Sequence, residues 1–351
     1  VRNELLNEKY YDIDHPSGLK ILVMPKENYS STYAIFATKY GSIDTMIQMD
    51  DGTFKEIPEG TAHFLEHKLF ESEDLDAFER FAKTGASANA YTSFDRTGYL
   101  FSCSANFKKN LEILLDFVQN PYFTQATVEK EQGIIGQEID MYKDAPDWEV
   151  MFNCLRTMYH NLPVRIDIAG TQESIAQITA KTLYGCYDNF YNLHNMVLAV
   201  AGNVSVDEVI EVADKALKPV EGKMAQRKVI DEPKEVIDNY VEEKLSVATP
   251  QFMFGFKESW DTPERTTKEE ISMEILLDMI SGQSSELYKR LFDGKLINSS
   301  FGFEYFTGFG YSCVLFAGES NDPKSVSEEI VKEIKKFRET GFDKTAFDRT
   351  K

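Results

Sequence analysis

The chain has 351 residues with 38 Lys+Arg against 58 Asp+Glu, a formal net charge of -20, and a composition 42% hydrophobic and 27% charged. That length suits one or two domains with a full core, and the composition excludes disordered, collagen-like and disulfide-scaffold classes. An excess of 20 acidic groups repels nucleic-acid phosphate and anionic lipid, and no stretch reaches the ~18–20 apolar residues of a membrane-spanning helix, so neither nucleic acid nor membrane is an expected partner.

The chain opens on Val1-Arg2-Asn3-Glu4, which lacks the apolar core of a signal peptide, and a cytoplasmic protein is expected. Gly18–Met24 and Thr32–Ala37 read as strands, rich in β-branched and aromatic residues and separated by Pro25 and Asn28. A buried helix follows at about 60–70, then a polar helix near Leu75–Thr84 and strands at Ala88–Thr92 and Gly98–Ser104. Helices near Phe107–Val118 and Thr124–Lys143 come next, with more helix before the apolar strand Met196–Ala201, which Gly202-Asn203 closes. The mixture is α+β, an antiparallel-rich sheet packed with helices. The charged stretch Pro219 to Lys244 reads as a linker, which gives a first domain over 1–218, a linker over 219–244 and a second domain over 245–351.

Beyond the linker the order of elements repeats: strand Gln251–Phe256, helices Thr266–Ile280 and Ser284–Phe292, strands Asn298–Phe306 and Gly310–Phe316, and helix Pro323–Thr340. Gly98-Tyr99-Leu100-Phe101-Ser102-Cys103 aligns with Gly310-Tyr311-Ser312-Cys313 at an offset on the order of 210–220 residues, the scale of a duplicated domain. Two homologous α/β-sandwich domains are expected, the second copy cut short, since Lys351 falls where the first copy has its Glu131 region. Cys103, Cys154, Cys186 and Cys313 form no Cys-x-x-Cys pair and read as buried thiols in a reducing compartment. His15, His160 and His194 read as structural.

The segment Gly60-Thr61-Ala62-His63-Phe64-Leu65-Glu66-His67-Lys68-Leu69-Phe70 carries chemistry. At about 100° per residue, with His63 at zero, Glu66 falls near -60° and His67 near +40°, while Phe64, Leu65 and Leu69 cover most of the other side. Two imidazoles at i, i+4 can both reach one metal ion, and Glu66 can sit beside its open position. In Thr127–Lys143, with Glu131 at zero, Glu138 falls near -20°, and both carboxylates lie in a stripe of Val128, Ile134, Ile135, Ile139 and Tyr142. Buried carboxylates need a cation: a metal held by His63 and His67 supplies one, and Arg partners are the alternative.

These residues resemble the inverted-motif zinc peptidases that include pitrilysin, insulin-degrading enzyme and the mitochondrial processing peptidases, in the manner of a bacterial processing-peptidase-like member. The resemblance runs through Gly41-Ser42, Gly60 to Phe70, Ala88-Asn89-Ala90-Tyr91-Thr92, Glu131 with Glu138, and Asn195 to Asn203. It implies a zinc endopeptidase acting on peptides inside an enclosed chamber, with one Zn2+ per chain held by His63, His67 and Glu138. Glu66 would be its general base, Glu131 a supporting carboxylate, and the strand around Asn89 and Ala90 the place where the substrate backbone pairs. It further implies a homodimer or a heterodimer with a homologous subunit, and an Arg and a Tyr from another domain that hold the substrate carbonyl; no residues here are assigned to that pair. The helix Ile271 to Ile280, which should parallel His63–His67, has no His, so the second copy reads as non-catalytic. Two other classes stay open: a catalytically inactive relative serving as a structural or assembly subunit, and a metal or peptide-binding module with a closed four-ligand site.

Overall fold

The computed structural model describes residues 1–351 apart from 5–7, 50, 74, 223, 260, 261 and 263. Alternation of buried and open positions builds the first sheet. In β4 (Lys20–Pro25) and β5 (Thr32–Thr38), Ile21, Val23, Ala34 and Phe36 are fully buried, while their neighbours along the strand stay partly open. With β3 (Tyr11–Asp14), β8 (Ser87–Thr92), β9 (Thr97–Cys103) and β10 (Met196–Gly202) they form one six-stranded sheet in the order β3-β4-β10-β5-β9-β8. Every pairing in it is antiparallel except β10 on β4. Two ribbons stand apart: β1 (Arg2–Asn3) with β2 (Glu8–Lys9), and β6 (Met46–Gln48) with β7 (Phe54–Glu56).

The buried face of this sheet packs on α1 (Thr61–Leu69), α2 (Ala77–Ala82), α3 (Phe107–Gln119), α4 (Gln125–Lys143), α7 (Ala180–Phe190) and α8 (Val206–Ala216). Leu65, Leu69, Phe36 and Leu114 are each fully buried there, a contribution of about 1.5–3 kcal/mol apiece. Helix α1 begins at Gly60, whose φ of 81° lies in the left-handed region and where a Cβ would overlap the carbonyl of Ala169, so glycine is required. On α4, Val128, Glu131, Ile135 and Ile139 are buried, but Ile134 is 46% exposed. The apolar stripe expected there is therefore narrower than helical phase alone suggested.

The chain divides into two compact units, Val1–Ile139 with Ile166–Lys228, and Asp140–Arg165 with Val229–Lys351. This division differs from 1–218, 219–244 and 245–351. Helix α5 (Pro146–Met158) packs on β11 (Gln251–Lys257), and the N–H groups of Ile237 and Asp238 both donate to the carbonyl of Thr157. The short α6 (Gln172–Ile175) returns the chain to the first unit.

In the second unit β11, β12 (Gly302–Gly308) and β13 (Tyr311–Glu319) form an antiparallel sheet in the order β11-β13-β12. It packs on α9 (Thr267–Ser281), α10 (Glu286–Asp293) and α11 (Pro323–Thr340) around Leu287, Leu291, Phe316, Val326 and Ile330, with α12 (Lys344–Thr350) on α9. The order strand, helix, helix, strand, strand, helix, helix reproduces β5, α1, α2, β8, β9, α3 and α4 of the first unit. The sheet order does too, β5-β9-β8 against β11-β13-β12. Asn298–Phe301, expected as the start of a strand, instead turns, because the Asn298 carboxamide oxygen accepts the N–H of Ser300 two residues on. No helix among the described residues is long and apolar enough to cross a membrane.

Candidate metal centre

Helix α1 and the part of α4 up to Ile139, both in the first unit, bring their polar side chains face to face. His63 Nε2 lies 3.7 Å from Glu138 Oε1, and His67 Nε2 lies 3.6 Å from Glu138 Oε2. Taking one donor atom from each of His63, His67 and Glu138, all three lie within 4.8 Å of one another, and this is the only such group of three residues among the described residues. Separations of 3.6–3.7 Å are too long for hydrogen bonds. They are close to the spacing of two ligands about 2.0–2.2 Å from one tetrahedral ion, roughly 3.4–3.6 Å. Two imidazole nitrogens and a carboxylate oxygen form a donor set that suits zinc. The residues present therefore fit a metal ion.

His67 is oriented from behind, since its Nδ1 lies 3.1 Å from Glu131 Oε1, which leaves Nε2 turned toward Glu138. His63 is oriented by packing: its Nδ1 is buried with no hydrogen-bond partner among the described residues. The two rings meet edge to face, with centroids 4.5 Å apart. Burial, and after it the neighbouring His67, lowers the His63 pKa to about 3, so this ring is neutral and its lone pair free across the physiological range. At His67 burial also pulls downward, but the bond to Glu131 and the charges of Glu66, Glu138 and Glu131 outweigh it and raise the pKa. The ring thus faces a strongly anionic surrounding.

Glu66 is buried on α1 beside the two histidines. Burial raises its pKa, partly offset by the Thr92 hydroxyl, which donates to Oε2 at 2.7 Å, and by His67. A carboxylate made more basic and held beside His67 and Glu138 can accept a proton. Lys68, fully buried on the same helix, is neutralised by Glu71 and donates to the carbonyl of Thr127 on α4, which ties the two helices together.

Asn89 and Ala90 lie on β8, which pairs with β9 on one side and ends the sheet on the other. The Asn89 carboxamide oxygen accepts the N–H of Ala90 at 2.9 Å. Ala88 and Ala90 turn toward the core under α1, and their small size lets helix and edge strand approach. Thus His63, Glu66, His67, Glu131 and Glu138 converge, and the strand bearing Asn89 and Ala90 runs alongside. The sequence singled out no bonding role for Thr92, because the contact depends on the register between β8 and α1.

The sequence is also similar to known proteins. The family models described as Insulinase (Peptidase family M16) and Peptidase M16 inactive domain match residues 43–172 and 177–351. A Bacillus subtilis protein named uncharacterized zinc protease YmfH is 42% identical over 336 residues, 94% of this chain and 78% of that protein. The beta subunit of mitochondrial-processing peptidase from Bos taurus is 37% identical over 160 residues, 44% of this chain and 32% of that protein. A crystal structure described as an M16-like peptidase from Alicyclobacillus acidocaldarius superposes with a TM-score of 0.93 at 39% identity, covering 100% of this chain and 83% of that one. Pitrilysin shares the fold, with a TM-score of 0.79 at 18% identity over 99% of this chain and 38% of its own.

Proposed function

The chain belongs to peptidase family M16, the insulinase family, and from that premise we propose that it is a zinc-dependent endopeptidase acting on unfolded peptides or small polypeptides inside an enclosed chamber. The observation that carries this reading is the convergence of His63, His67 and Glu138 next to the buried Glu66, beside a sheet edge open to an incoming strand. His63, His67 and Glu138 hold one zinc ion per chain, with Glu131 fixing the ring of His67 through Nδ1. Bound zinc supplies Lewis acidity, polarising a carbonyl and lowering the pKa of its water to about 7.

Glu66 takes a proton from the attacking water and passes it to the leaving amine nitrogen. The substrate backbone adds as a strand along β8 at Asn89 and Ala90, a mode that tolerates many sequences. A net charge of -20 favours basic peptides. The enzyme pairs with a second copy or a homologous subunit, a reading drawn from the relative named as a beta subunit. Its four cysteines are free thiols, in keeping with the cytoplasm. The rival reading, an inactive assembly subunit, draws on the words inactive domain, but these describe the match to 177–351, which contains none of the five converging residues.

The test is zinc content measured beside hydrolysis of a mixed library of unfolded peptides, with chelated protein as the control. Cleavage that follows zinc occupancy is expected, and cleavage indifferent to chelation overturns the proposal.

A further inference from the structure

We propose that Thr92 is a positioning residue for the reaction: its hydroxyl fixes the Glu66 carboxylate by one oxygen and so decides which oxygen receives the proton. The inference rests on the reading of Glu66 as the base. Thr92 Oγ1 donates to Glu66 Oε2 at 2.7 Å, while Oε1 makes no hydrogen bond among the described residues. A buried carboxylate with a single donor is held on one side and free on the other, which is the arrangement a directed proton acceptor needs.

The donor sits beside a braced turn. Thr92 is the last residue of β8, at the entry of the turn into β9, opposite Thr97. That turn is clasped by the loop after β5, where Ser42 and Ile43 donate their N–H groups to the carbonyls of Ser93 and Phe94 at 3.0 and 2.9 Å. Arg227 donates to the carbonyl of Asp95 at 2.6 Å and forks onto Asp44 at 2.7 and 2.9 Å. The hydroxyl is thus presented from a fixed turn, and Thr92 is also the end of the strand edge to which the peptide is proposed to add. Threonine suits the position: a hydroxyl supplies the bond, and β-branching limits its rotamers on the strand.

The experiment compares T92V, T92S and E66Q in the full chain, measuring kcat and KM on one peptide, zinc affinity by chelator competition, and thermal midpoints of zinc-free protein. For T92V a fall in kcat of about 10–100-fold is expected, with KM within about twofold and zinc affinity within about threefold of wild type. T92S should restore most of the lost kcat. In zinc-free protein the midpoint shifts of T92V and of a further variant, E66A, should be non-additive in the double variant, because either change removes the Thr92–Glu66 contact. Wild-type kcat in T92V beside an inactive E66Q overturns the role of Thr92 alone, as do additive midpoint shifts. Full turnover by E66Q overturns the base assignment and, with it, this inference.

Discussion

Two buried carboxylates flank His67 and stand in different surroundings. Glu66 has its burial offset only by the Thr92 hydroxyl and the imidazole, and its basicity is raised; Glu131 lies against the back of the His67 ring. Exchanging each for Gln keeps the shape and removes the charge, so the two changes separate proton transfer from metal binding. Glu66→Gln is expected to keep zinc, measured by metal analysis, and to lower peptide hydrolysis by at least about 10²–10⁴-fold, the usual worth of a general base. Substantial turnover in that variant removes Glu66 from the mechanism. Glu131→Gln is expected to weaken zinc binding by about 10–100-fold, because the amide no longer fixes the ring through charge. An unchanged dissociation constant in chelator competition would show that Glu131 only fills space.

Elements differ in how far their sequence reveals them. The His63, Glu66, His67 cluster was legible because its spacing is set within a single helical turn, and Glu131 with Glu138 because seven residues return to nearly the same face. Ile134 was misplaced for the same reason: phase places a residue relative to the stripe, but the width of the stripe depends on what packs against α4. Contacts between distant segments left no local mark. Thr92 reaching Glu66 is one, and Arg227 is another: within the charged stretch read as a linker, it makes a fork onto Asp44, a side chain only 3% exposed. Burial raises the Asp44 pKa and Arg227 opposes it, so removing the guanidinium leaves a buried carboxylate answered, among the described residues, only by the Gly41 N–H. Arg227→Met is therefore expected to destabilise the first unit by about 3–5 kcal/mol in denaturant unfolding. A change below about 1 kcal/mol would mean that solvent replaces the pair.

At the level of the whole chain, duplication and division of labour meet. The same strand order recurs in both units, yet the helix that corresponds to α1, α9, carries no His, and all five converging residues lie at or before Ile139. The apolar cores are also separate, one around Phe36, Leu65 and Leu114 and the other around Leu291, Phe316 and Ile330. A ligand that binds only folded protein stabilises the cooperative unit that holds it, by about 4 kcal/mol at a thousand times its dissociation constant. Zinc should therefore act on the first unit. In hydrogen exchange at saturating zinc against chelator, the most protected amides of 1–139 and 166–228 are expected to slow by up to about 10³-fold, the same free energy read as a rate. Those of 229–351 should keep their rates. Equal slowing in both would mean that the two cores open as one cooperative unit, and no slowing in either would remove the metal from the first.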